Sequence, residues 1–358
     1  MKRHLFLFTL SMISATAFNQ EYDRNDSANY ADIRTDEPDS SAGFDFFGSD
    51  EPVKMTLTFD VKGLIKTKSD PENFDATITL VTSENDTLTQ SIKVKARGEM
   101  RRNYCSFPPI MLKFKDNKDG DEPILSNGNI KLVTHCGASS TFESYIFKEY
   151  LAYKLYNLVT PYSYRTRLAI IEYKDVNTGY SLTEYGFVIE STEQLAQRNN
   201  STIVDNPNIT QKNMDDYEMA RVAFFNYMIG NTDWSVHEQH NVKVLKPLET
   251  NVDKGIPVTY DFDYSGFVST RYSAPSAVLP IKYVTDRYYL GTCISEDILS
   301  EVIDEFEAMK TQFISTIENF NFLSNGHKKK AQAFISGFYK KYRTDNLLIS
   351  DLTSTCKK

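Results

Sequence analysis

Ile229-Gly230-Asn231-Thr232-Asp233-Trp234-Ser235-Val236-His237-Glu238-Gln239-His240-Asn241 is the stretch on which the reading of this chain turns. It has the pattern of a helix that ends at Ile229, a Gly-Asn turn, an aspartate, and then an asparagine opening the apolar run Val242 to Leu245. A second stretch, Ile256-Pro257-Val258-Thr259-Tyr260-Asp261-Phe262-Asp263, reads as an apolar strand that ends in two carboxylates around one phenylalanine. Asp233, Asn241, Asp261 and Asp263 would then stand at the ends of adjacent strands. Carboxylate and amide oxygens are hard ligands suited to Mg2+. A separate aspartate can position a hydroxyl nucleophile. Each piece alone is ordinary turn or cap composition; it is the two together, in this order, that point to metal and phosphate chemistry.

Gly230-Asn-Thr-Asp-Trp, His240-Asn241 and Tyr260-Asp-Phe-Asp263 resemble the catalytic and metal-binding segments of the CotH spore-coat kinase-like family. HipA-type kinases carry a related arrangement. The resemblance implies an α+β, two-lobed, protein-kinase-like fold, with a β-rich N-lobe at about 53–190 and a mainly helical C-lobe at about 191–358. It implies an exported atypical kinase that transfers the γ-phosphate of ATP to a protein hydroxyl with Mg2+ or Mn2+. On that reading Asp233 is the catalytic aspartate and Asn241 and Asp261 hold the metal, with Asp263 as helper or rival of Asp261. The step from Asp233 to Asn241 is wider than in ordinary kinase loops, and an insertion around 236–239 would account for it.

Upstream, the runs 55–59, 76–81 and 91–96 alternate as strands do, with Glu84-Asn85-Asp86 as a turn between the last two. They lead into Arg97-Gly98 and a further strand, 109–114, that carries Lys113. The family has a similar layout, which would set Arg97 and Lys113 against nucleotide phosphates. The family's serine-rich continuation is replaced here by Glu99-Met-Arg-Arg102, and there is no Gly-x-Gly-x-x-Gly. Arg101 and Arg102 are either phosphate partners or solvated charges. Residues 139–158 form the first clear helix, capped by Ser139, Ser140 or Thr141. By resemblance, its Glu143 or Glu149 would pair the strand lysine. Strands at 167–173 and 185–190 follow, and Glu190 would face the adenine.

The segment 196–209 reads as a polar loop, 212–229 as the helix that carries the Gly-Asn turn, and 269–286 as an extended loop beside the site. Helices at 296–320, capped by Ser295, and at 327–342 close the chain. Trp234 is a packing anchor. His237 and His240 lack the helical spacing of a two-histidine zinc site.

The 358 residues carry a formal charge of −8, which argues against a nucleic-acid partner, and 41% are hydrophobic, enough for a large core. Residues 1–17, with Lys2 and Arg3 before an apolar run and Ala15-Thr-Ala17, read as a secretory signal. Residues 18–52 read as an acidic disordered leader, in which Phe44, Phe46 and Phe47 can dock on the domain that begins at 53. The protein is expected outside the cytoplasm, whether periplasmic, cell-surface or secreted, with no stable membrane span once the signal is cleaved. Four cysteines then suggest disulfides, with three pairings open and Cys105–Cys136 and Cys293–Cys356 favoured. The expected partners are a nucleotide and a protein acceptor. Scarce external ATP leaves two alternatives: a scaffold that has lost turnover, or a nucleotidyltransferase using the same site.

Overall fold

The computed structural model describes residues 44–82, 86–115, 124, 128–248, 254–341 and 345–356. The expected signal at 1–17, most of the leader at 18–52 and the Glu84-Asn85 part of the hairpin turn lie outside the described residues.

Seven strands close into a barrel. β1 (Val53–Phe59), β2 (Asn73–Val81), β3 (Thr87–Ala96), β4 (Ile110–Phe114) and β5 (Gly128–Val133) follow one another round the wall. Then come β7 (Ser181–Ile189) and β6 (Thr166–Asp175), and β6 returns to β1. That closing pair is parallel, from Val53 opposite Ala169 to Phe59 opposite Asp175, while the other neighbours are antiparallel. Alternate side chains fill the interior, among them Leu57, Ile78, Val94, Leu112, Ile130 and Val188. Phe46 is buried against Phe114, and Arg167 donates to the carbonyls of Phe46 and Glu51. Phe46 and Glu51 thus hold the stretch before β1 to the barrel, the docking that Phe44, Phe46 and Phe47 allowed.

The two-lobed kinase-like arrangement expected from the resemblance is not what the chain adopts. Residues 43–358 form one compact unit. The first half is a closed barrel, and the second half carries its own sheet, β10 (Ile256–Thr259), β9 (Val242–Pro247) and β8 (Ser201–Val204) in that order. The physical reason lies in α3 (Ser140–Val159). An ordinary surface helix buries one stripe, but α3 is buried on nearly every side. Its Tyr150 and Tyr153 rings meet Phe187 of β7, and Tyr156 meets Phe225 of α5 (Asp216–Ile229). One apolar core thus runs from Leu168 and Phe187 in the barrel wall to Phe306 on α6 (Glu296–Glu318) and Leu352 on α8 (Asp345–Thr355). With a shared core on both sides of residue 190, there is no lobe boundary for a hinge.

Shorter pieces complete the chain: α1 (Val61–Lys66), α2 (Met100–Tyr104), α4 (Thr192–Arg198) and α7 (Asn325–Lys341). α4 and β8 occupy much of the segment expected as a loop at 196–209. Both favoured disulfides form, Cys105–Cys136 and Cys293–Cys356, as suits an oxidising compartment. Among the described residues no helix is long and apolar enough to cross a membrane.

Candidate active site

A cavity of 540 Å³ opens where α2, β5, α3 and the loops around Asp233 and Asp261 meet. That volume is in the range of small-molecule sites. Arg97, Asp233, Asn241, Asp261 and Asp263 all line it, as expected from the sequence.

The Asp233 wall starts at α5. Asp215 caps the helix, accepting from the backbone N–H groups of Tyr217 and Glu218. Gly230 ends it in the left-handed region, with φ 64°, where a side chain is strained and a Cβ would lie 3.3 Å from Phe334. Asn231 then accepts at 3.0 Å from the backbone N–H of Asp233. Behind this turn the fully buried Asn226 accepts at 2.8 Å from Asn231 and lies 3.3 Å from the hydroxyl of Thr259 at the end of β10. This amide network ties the helix end to the strand end, as buried polar groups require.

The residues between Asp233 and Asn241 fold back on themselves. Ser235 and His240 exchange two backbone hydrogen bonds of 2.9 Å, and buried Val236 anchors the turn. The chain thereby returns to Asp233. The Asn241 amide donates to the Asp233 carbonyl at 2.8 Å and to its Oδ2 at 3.1 Å. His240 Nε2 lies 2.9 Å from Oδ1. Both carboxylate oxygens of Asp233 are thus oriented, and its side chain stays 37% exposed to an incoming group. With its nitrogen committed to Asp233, Asn241 has its Oδ1 carbonyl left for a cation.

The Asp261 wall is set by Phe262. That ring is fully buried against Tyr153, Tyr156 and Phe225, so the carboxylates on either side turn to the cavity. Asp261 has φ 62° and Asn241 φ 51°. These are left-handed conformations that Asp and Asn tolerate better than most residues, and such strain gathers at functional sites. The hydroxyl of Tyr153 on α3 holds Asp261, accepting from its backbone N–H at 2.8 Å. Asp263 is buried, and Tyr272 donates to its Oδ2 at 2.9 Å. Burial, then the neighbouring Asp261 charge, pushes Asp263 up to about 7, against the pull of Arg101 and Tyr272.

The cationic wall differs from expectation. Lys113 and Glu190 are not among the residues lining the cavity. Lys113 lies on the outside of β4, opposite Lys93 of β3 and Asn129 of β5. Glu190 is 0% exposed and held by Arg165 at 3.0 Å, Arg198 at 2.7 Å and the Arg165 backbone N–H at 2.7 Å. The lysine of the cavity is Lys131 of β5, with its Nζ 4.3 Å from the Tyr260 ring centre. Burial and the nearby Arg97 pull its pKa down to about 8. Glu149 pairs Arg101 of α2 at 3.1 Å, in place of a strand lysine. Burial raises the Glu149 carboxyl well above the usual range, although Arg101 opposes the shift. Burial works against the Arg101 charge too, yet Tyr272, Glu149, Asp263 and Asp261 together hold its pKa above the ordinary value. The buried Nε of Arg101 has no hydrogen-bond partner among the described residues.

Lys131, Tyr153, Tyr260 and Tyr272 were missed in the sequence. The only available signal for Lys131 was a charge interrupting the apolar run Ile130 to Val133.

No protein-family profile matches this chain, and no curated protein matches it. The CotH resemblance therefore has no support from a matching profile. A solved structure of a proinflammatory kinase, CtkA, from Helicobacter pylori is similar at 12% identity and a TM-score of 0.39, over 69% of this chain and 90% of that one. At that level the likeness assigns neither fold nor activity here.

Proposed function

We propose that the cavity binds a nucleoside triphosphate with a divalent cation and passes the terminal phosphoryl group to a hydroxyl. One observation carries this reading: a single cavity is lined by Asp261, Asp263 and Asn241 together with Arg97, Lys131 and Arg101, whose Nε has no partner among the described residues.

The residues fit a cation. Asp263 is driven towards neutrality because it shares a buried setting with Asp261, and a divalent ion supplies the missing positive charge. Among the described residues no three His, Cys, Asp or Glu side chains group tightly enough to enclose an ion alone. Mg2+ needs only one or two carboxylates and takes its remaining oxygens from water and phosphate. When bound, such an ion neutralises charge on the phosphate oxygens. Asp261 and Asp263 would hold it, with Asn241 Oδ1.

The chain's own residues do the rest. Arg97, Lys131 and Arg101 Nε offer donors to phosphate oxygens. Gly98, with φ 77° and open space where a Cβ would stand, lets a phosphate come close to the backbone. Asp233, its two oxygens steadied by His240 and Asn241, orients the acceptor hydroxyl and takes its proton. The work is positioning and charge neutralisation, which dominate phosphoryl transfer.

Thermal unfolding with and without ATP and Mg2+ or Mn2+ tests the reading. At a hundredfold excess over Kd, binding adds about 2.7 kcal/mol and raises Tm by roughly 5 °C. Asp261→Ala should abolish the rise and leave the ligand-free Tm near its original value. A folded chain that shows no rise at millimolar nucleotide sinks the proposal. Mass spectrometry of a modified target then separates phosphoryl from nucleotidyl transfer.

A further inference from the structure

Asp261 and Asp263 look equivalent in sequence, yet they are held in different ways. Asp261 is fixed through its backbone by Tyr153, and no side chain among the described residues bonds its carboxylate. Asp263 is fixed twice from the segment between β10 and α6, which carries no helix or strand. Thr270 donates to its carbonyl at 3.4 Å, and Tyr272 donates to Oδ2 at 2.9 Å.

Tyr272 is itself well anchored. Its ring lies 5.0 Å from that of Tyr104 on α2 and 5.9 Å from that of Tyr264. The Tyr264 hydroxyl also donates to the Tyr272 carbonyl at 3.3 Å. The ring thus bridges α2, which bears Arg101, and the carboxylate wall. A hydroxyl so placed fixes one carboxylate oxygen and the rotation of the group. Partners behind a metal ligand commonly set its orientation and basicity in this way.

We infer that Tyr272 is the positioning residue for the cation: by holding Oδ2 of Asp263 it presents Oδ1 alone, making Asp263 a one-oxygen ligand beside an unencumbered Asp261. The inference rests on the cation reading above, and it names Asp261 as the principal ligand. It also gives the irregular segment a role, since any movement of 269–273 shifts Asp263.

The test is Mn2+ binding to the full chain without nucleotide, followed by the electron paramagnetic resonance signal of free Mn2+. Tyr272→Phe keeps the ring and removes the hydroxyl. It should weaken Mn2+ binding about tenfold with an unchanged metal-free Tm. Tyr283→Phe, on the same segment but exposed, should bind as the wild type does. In an Asp263→Asn background, Tyr272→Phe should cause no further loss, because it acts through that carboxylate. Tyr272→Phe that binds Mn2+ as well as or better than the wild type overturns the inference. So does an equal further loss in the Asp263→Asn background, which would mark Tyr272 as merely structural. If the wild type binds Mn2+ but nucleotide gives no metal-dependent Tm rise, phosphoryl transfer fails and Tyr272 still stands or falls on this titration. A wild type that binds no Mn2+ without nucleotide overturns the inference alone, because the phosphoryl-transfer reading is decided by the nucleotide-dependent Tm rise.

Discussion

Two clusters of buried charge in this protein behave differently. At Glu190 the account closes. One fully buried carboxylate meets two guanidinium groups and a backbone N–H, with contacts of 2.7 to 3.0 Å. In the cavity it does not close. Asp261, Asp263 and Glu149 crowd round Arg101, Asp263 is pushed up to about 7, and the Arg101 Nε has no partner among the described residues. A saturated cluster has nothing left to offer a ligand. An unsaturated one holds charge and donors in reserve, at a stability penalty that a ligand can remove.

The largest effect should come from breaking the closed cluster. Glu190→Ala leaves two arginines facing each other and should lose about 3–5 kcal/mol in urea unfolding. Its nucleotide-dependent stabilisation, measured on the molecules that remain folded, should persist. If that response vanishes instead, Glu190 belongs to the site and the contrast fails. Next is the brace behind the cation wall. Cys105 follows α2 directly and pins it to Cys136, in the short stretch between β5 and α3. Cys105→Ser with Cys136→Ser should lose roughly 3 kcal/mol and weaken nucleotide binding by releasing Arg101.

The open cluster should respond in the opposite sense. Asp263 has a folded pKa of about 7 against an ordinary 3.8. Between those values the folded state holds a proton that the unfolded state has lost. Metal-free stability should therefore fall as pH rises from about 4 to 7 and level off above that. Asp263→Asn should remove this slope and gain on the order of 2 kcal/mol at pH 8, while weakening the metal response without abolishing it. A loss of stability at pH 8 would show that the cluster is balanced after all. The smallest effect concerns Lys131, which gives up its proton near 8. Nucleotide affinity should drop about threefold as pH climbs through that value, and Lys131→Arg should flatten the profile because its guanidinium stays charged.

What was legible in the sequence follows from the range of each interaction. Asp233, Asn241, Asp261 and Asp263 are placed by turns and strand ends within one stretch, so local chemistry was enough to bring them together. The turn between Ser235 and His240 is local too, since it closes on its own neighbours. The helix at 296–320 was found within two residues of Glu296–Glu318, with Ser295 as its cap. Lys113 and Lys131 show the limit. Both stand on the outer face of adjacent strands, and only the position of α3 decides which one meets the cavity. Glu190 was expected to face a nucleotide base because nothing near it in sequence announces Arg165, 25 residues earlier. Barrel closure was illegible on the same ground, since the pairing of β1 with β6 leaves no mark on either strand. The kinase-like two-lobed expectation failed on a long-range feature as well, the core that α3 shares between the barrel wall and the later helices.

That closing pair also sets the order of events as the chain is made. Val53 cannot meet Ala169 until more than a hundred further residues have followed it. Until then β1 is an apolar strand with one edge unsatisfied, the kind of segment that seeks other chains. Long-range pairings of this sort slow folding and lengthen the exposure of sticky intermediates. The yield of folded protein should therefore depend on chaperones that shield β1 until β6 arrives.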